Sequence, residues 1–102
     1  MDKMSKIIPP TATDGEIMAE IGHRLRAMRK SRKISQSEAA AKSGVSRKTV
    51  HLAEHGQNPT LLTLIRLLRT YGALDSLNDF IPEIEISPLE ILRASRKRGR
   101  SS

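Results

Sequence analysis

The sequence predicts an all-α domain of five helices over residues 14–81. Three observations carry that expectation. Apolar residues recur at helical spacing rather than in alternation, Ser, Thr or an Asn-Pro-Thr group opens the first four apolar runs, and Gly or Pro closes the last four. At 102 residues the chain is long enough for one small core and too short for two ordinary domains. Residues 1–13 are expected to form a flexible N-terminal segment and residues 82–102 a C-terminal extension.

The first helix is predicted over Ile17 to Arg32, where Ile17, Ile21, Leu25 and Met28 make one amphipathic stripe. Thr13-x-x-Glu16 and Asp14-Gly15 supply its start. Ser35-Gln-Ser-Glu38 is a capping box for a second helix through Ala39 to Lys42, stopped by Gly44. Ser46 caps a third helix from Arg47 to about His55, ended by Gly56. Asn58-Pro59-Thr60 opens a fourth, in which Leu61, Leu64, Ile65, Leu67 and Leu68 are expected to be core and which runs to Gly72. A fifth short helix, Leu74 to Phe80, ends before Pro82. Beyond it, Ile84 and Ile86 alternate with acids, a strand signal over 83–86 that a second chain would have to complete. Ser87-Pro-Leu-Glu90 is a further capping box for a short helix over 88–95, followed by a basic tail.

Composition narrows the function classes. With one Phe, one Tyr and no Trp, the core is expected to be aliphatic and there is little aromatic material for a ligand or catalytic pocket. The absence of cysteine excludes disulfides and thiolate zinc sites, so a reducing cytoplasm is the expected compartment. The N-terminus has no apolar signal core, and no run approaches the roughly 18 apolar residues of a membrane span, so no export signal and no membrane role are expected.

Charge is unevenly placed. Residues 24–48 hold nine Lys or Arg against one acid, Glu38, whereas 74–90 hold five acids and no basic residue. The chain then ends in "RASRKRGRSS". Single-sign blocks within a net charge of +7 point to an acidic partner, of which nucleic acid is the commonest.

One motif argues for something else. His51-Leu-Ala-Glu54-His55 matches H-x-x-E-H, an inverted zinc-protease signature that sets two histidines on one helical face. A catalytic zinc needs a third protein ligand and a shaped cleft, and the chain offers only His23 and scattered carboxylates around a small core. No metal, no cofactor and no catalytic residue is therefore expected, and the protein is not expected to be an enzyme. With Val50 at the centre of the buried face, at about 100° per residue, Ala53, Ser46 and Glu54 fall near it. Lys48, His51, Leu52 and His55 then point away, flanked by Arg47 and Thr49.

The stretch "LRAMRKSRKISQSEAAAKSGVSRKTVHLAEHGQNPTLLTLIRLL" resembles the helix-turn-helix domain of the phage repressor/Cro (Xre) family. Several linked motifs carry the resemblance: L-R-x-x-R, S-Q-x-x-A, G-V-S, and E-x-G followed by N-P-T-L in this order and spacing. It implies a repressor-like five-helix domain that binds double-stranded DNA. Gln36 would then donate to a phosphate, Ser46 would cap the recognition helix and touch the DNA backbone, and Arg47 and Lys48 would read base edges. The resemblance also implies supporting contacts from Thr49 and His51, a phosphate contact from the loop at Asn58, and a buried pair between Arg29 and Glu54. Leu52 departs from the family, which often has Arg or Gln there; a thymine methyl is the contact open to it. Ala53 is smaller than the usual branched residue, so the fourth helix must fill the core beside it.

Family members usually bind inverted half-sites as dimers. The dimer surfaces expected here are Leu74, Leu77, Phe80 and Ile81 with Ile84 and Ile86. The tail "SPLEILRASRKRGR" is similar to HipB-like antitoxins of HipA-type kinase toxins. That resemblance implies an autoregulating repressor that also binds a kinase toxin. The alternatives are a stand-alone repressor of the same family, or chiefly a protein-interaction module that holds a toxin.

Overall fold

A computed structural model of the chain describes residues 7–81 together with 83, 84 and 89. The described residues are helical, with elements α1 (Asp14–Ser31), α2 (Gln36–Ser43), α3 (Arg47–Glu54) and α4 (Leu61–Thr70). A 3₁₀ turn (Leu74–Ser76) then runs into the single turn α5 (Leu77–Phe80). The all-α expectation is borne out. Between Leu74 and Phe80, where one short helix was expected, the chain makes a 3₁₀ turn and one α-turn instead.

Each helix start follows from a side chain that satisfies end amides. Thr13 and Glu16 exchange bonds across the first turn of α1, Thr13 Oγ1 accepting from the Glu16 amide at 3.1 Å and Glu16 Oε1 from the Thr13 amide at 2.9 Å. Ser35 and Glu38 do the same for α2. Both boxes lengthen their helices beyond the apolar stripes that announced them, so α1 begins at Asp14 and α2 at Gln36. Ser46 and Thr60 cap α3 and α4 by accepting from the amides of Thr49 and Thr63. Gly44 closes α2 in the left-handed region, at φ 72°, which a side chain would make costly.

Helix α1 packs on α3, and α2 packs on both α3 and α4. Their shared core is Leu25, Ala39, Ala40, Val50, Ala53, Leu67, Leu68 and Tyr71. Two expectations are corrected here. The core is not purely aliphatic, because Tyr71 is among its largest fully buried side chains, at 2% exposure. Nor does the whole leucine run of α4 lie inside: Leu67 and Leu68 are buried, whereas Leu61 and Leu62 are 57% and 54% exposed. They stand in the first turn of α4, on the far side from the Thr63 and Leu67 row that meets the core.

The Tyr71 hydroxyl has no hydrogen-bond partner. Burial pushes the phenol up to about 12, with the charge of Glu54 adding to the rise and that of Arg29 opposing it. The neutral phenol thus stabilises the fold below pH 10, and that contribution is lost as pH rises from 10 towards 12. Tyr71→Phe should leave stability at pH 7 within about 1 kcal/mol of wild type, since no bond is broken. It should also remove this alkaline loss, as read from thermal melts between pH 9 and 11.

Candidate nucleic-acid interface

The helix-turn-helix unit is α2, the turn Gly44-Val45-Ser46, and α3. The Val45 amide donates to the Ala40 carbonyl at 3.1 Å, and Arg66 Nη1 reaches back from α4 to the Gly44 carbonyl at 3.2 Å. The turn is therefore held from both ends. On α3 the inner face is Val50, Ala53 and Glu54, all buried. The outer face presents Arg47, Lys48, His51 and Leu52, with Thr49 at its edge. Ser46, placed near the buried face by the helical projection, is exposed, because as the cap it stands outside the helical spiral.

Eight residues make a helix too short to hold its own shape, so its seating matters. Gly22 of α1 meets it: a Cβ there would lie 2.6 Å from the Glu54 carbonyl oxygen and 2.8 Å from that of Ala53. The chain leaving α3 stays on α1 as well. Gly56, at φ 68°, would place a Cβ 2.8 Å from the Met18 carbonyl oxygen. Asn58 follows with a positive φ of 45°, a conformation that Asn tolerates better than most residues, and it turns the loop towards Thr60.

Beneath the outer face lies a buried ion pair. Arg29 Nε donates to Glu54 Oε2 at 2.6 Å and Arg29 Nη2 to Oε1 at 3.1 Å, a bidentate arrangement. The third Arg29 nitrogen donates to the Ile34 carbonyl at 2.9 Å, and Gln36 Nε2 donates to Glu54 Oε1 at 3.1 Å. Burial alone would raise the Glu54 carboxyl. The bonds from Arg29 and Gln36, with the charges of Arg29 and Arg26, outweigh it and hold the carboxyl below its ordinary value.

This pair decides what Glu54 can do chemically. Its oxygens are committed to Arg29 and Gln36 in the interior, so it does not face the side of α3 on which the histidines stand. The histidine rings lie 4.2 Å apart, and His55 Nδ1 is 2.8 Å from the His51 carbonyl oxygen at the helix end. Among the described residues, no group of three or more His, Cys, Asp or Glu side chains gathers as a metal site would require.

Internal bonding also sorts the basic block. Arg24 pairs with Glu20 at 2.8 Å, Arg29 with Glu54, and Arg32 Nε donates to the Tyr71 carbonyl at 2.8 Å. The remaining six basic residues of 24–48 (Arg26, Lys30, Lys33, Lys42, Arg47 and Lys48) are all exposed, so most of the block's charge faces solvent.

Of the expected dimer residues, Leu74 and Leu77 are partly buried against the domain's own core. Phe80, Ile81 and Ile84 are 55%, 72% and 78% exposed, and Ile86 lies outside the described residues. An apolar groove of about 310 Å³, lined by Ile21, Met28, Leu64, Leu68, Leu77 and Phe80, adjoins them. Glu83 and Ile84 are in no regular element; the rest of the strand expected over 83–86 lies outside the described residues, as does nearly all of the helix expected over 88–95.

Sequence reasoning missed four parts of the site: Gly22, Tyr71, the Gln36–Glu54 bond, and the structural use of Arg32 and Arg66. Gly22 alone left a signal. A glycine inside a strong helical stripe costs about 1 kcal/mol against Ala and so asks for a packing reason.

A helix-turn-helix family model matches residues 25–75, from the middle of α1 through the 3₁₀ turn. No curated protein matches the chain. No helix among the described residues is long and apolar enough to cross a membrane.

Proposed function

This chain belongs to the Xre/Cro-like helix-turn-helix family of DNA-binding transcription regulators, and from that premise we propose that it is a sequence-specific repressor acting as a homodimer on an inverted-repeat operator. One observation carries the reading. Arg47, Lys48, His51 and Leu52 stand exposed on a helix whose opposite face is buried and pinned by an ion pair. Arg47 reads guanine through O6 and N7, with Lys48 beside it, and Leu52, 37% exposed, meets a thymine methyl. Thr49 and His51 support them, while Ser46, Asn58 and the main-chain amides of the first turn of α2 lie where the phosphate backbone passes. Phe80, Ile81 and Ile84, with Leu74, Leu77 and Ile86, form the contact between protomers. The exposed apolar side chains beside the groove support that assignment.

The test is selection of duplexes from a random pool, then titration of the winner against a scrambled control. Arg47→Ala should cost roughly 1 to 3 kcal/mol on the selected duplex and relax preference at one base position. Binding of wild type to both duplexes with equal affinity would sink the reading.

The finer biological reading is a cytoplasmic, non-enzymatic antitoxin that represses its own operon and binds a HipA-like kinase. The likeness of the tail over 87–100 to HipB-like regulators supports it. A second reading, a module that chiefly holds a toxin, is favoured by the acidic segment 74–90 and the basic end. Deleting residues 82–102 separates the two functions: a tail that holds the partner loses it while operator binding persists.

A further inference from the structure

Gln36 is the first residue of α2, where a helix end favours an anion, yet its side-chain amide turns inward to Glu54 Oε1 at 3.1 Å. The same oxygen accepts from Arg29 Nη2 at 3.1 Å, and Arg29 Nη1 continues to the carbonyl of Ile34, just before the α2 cap Ser35. The buried Arg29–Glu54 pair therefore ties α1, through the guanidinium, to the corner leading into α2, and, through a carboxylate 6% exposed, to the first residue of α2 and the last residue of α3.

Both ends of α3 thus answer to α2. The N-terminal end is set by the turn at Gly44 and the cap at Ser46, and at the C-terminal end Gln36 adds a bond from α2 to the pair that Glu54 makes with Arg29 of α1. A helix of eight residues is about 12 Å long, so release at one end tilts the side chains along its whole length.

We propose that Gln36 is a positioning residue for base reading, acting through Glu54 to set the angle of α3 against α2. It rests on the DNA-reading function proposed above. It assigns Gln36 a role different from a phosphate contact, and the two roles have different signatures. A phosphate contact carries no sequence information, so its loss weakens binding to every duplex alike and lowers the salt slope by about 1. A lost positioning bond instead lowers discrimination between duplexes and leaves the slope where it was.

The experiment uses the full chain, a duplex selected from a random pool, and the same duplex with its half-site bases scrambled. Affinities are read by fluorescence anisotropy between 50 and 200 mM KCl, with far-UV circular dichroism confirming the fold. Gln36→Met keeps the side-chain length and removes the donor. Discrimination should fall by about ten-fold, the share of one good base contact, with unchanged affinity for the scrambled duplex and an unchanged salt slope. If Gln36→Met does not fold, Gln36→Asn, which withdraws the amide by one methylene, reads the same contrast. Equal losses on both duplexes with a slope smaller by about 1 overturn the proposal, and so does no change in either quantity. Wild type failing to discriminate at all would instead remove the DNA-reading function on which the proposal rests.

Discussion

Glu54→Ala is expected to cost about 3 to 5 kcal/mol of folding stability, because it strands Arg29, a buried guanidinium, without its carboxylate. A domain of this size holds on the order of 5 to 10 kcal/mol in all, so the variant should be barely folded at 25 °C. Urea unfolding at pH 7 reads it as a lower midpoint at unchanged slope. The acid behaviour has a definite sign. The Glu54 carboxyl lies below its ordinary value of 4.5 in the fold, so its stabilisation is complete above that value and is lost as pH falls through the lower folded one. Wild type should therefore approach the variant as pH drops, since protonation deprives Arg29 of the same charge. A gap as wide at pH 3 as at pH 7 would show that the fold does not hold the Glu54 carboxyl below its ordinary value.

What could be read in advance, and what could not, divides along physical lines. Local chemistry was legible. The Thr13, Ser35, Ser46 and Thr60 caps and the Gly44 stop act within four residues of themselves, so the sequence neighbourhood contains the whole interaction. Long-range choices were less so. Leu61 and Leu67 belong to one apolar run, yet only contact with α2 decides that Leu67 is buried and Leu61 is not. Tyr71 lies one residue beyond α4, where periodicity no longer tells inside from outside. Arg29 and Arg32 are alike in sequence but differ in what other segments offer them, a carboxylate for one and the Tyr71 carbonyl for the other. The polar surface of α3 was legible because burying Val50, Ala53 and Glu54 leaves only one face for Arg47, Lys48, His51 and Leu52. The Gln36 amide could have turned either way, and its bond to Glu54 depends on the close approach of α2 to α3.

Gly22→Ala reverses the sign that local propensity assigns. In a helix interior Ala is better than Gly by about 1 kcal/mol, so α1 taken alone should gain. Its new Cβ would stand 2.6 Å from the Glu54 carbonyl oxygen and 2.8 Å from both the Ala53 carbonyl oxygen and the Glu54 carbonyl carbon. These are backbone atoms and cannot rotate aside, so α3 must move off α1. That motion draws the Glu54 carboxylate away from Arg29 and Gln36, adding strained bonds to the steric cost. A net loss of about 3 kcal/mol is expected, the upper end for an overpacked core, seen as a lower thermal midpoint. Gly15→Ala is the control, because it lies in the same helix with nothing within 4 Å of its Cβ, and it should be neutral or stabilising by up to about 1 kcal/mol. If both variants stabilise alike, α1 and α3 do not approach as closely as Gly22 requires. If Gly22→Ala destabilises and also lowers duplex discrimination while Gly15→Ala does neither, the missing methyl group at Gly22 is what lets a short helix lie flat on α1 with its basic face turned outward.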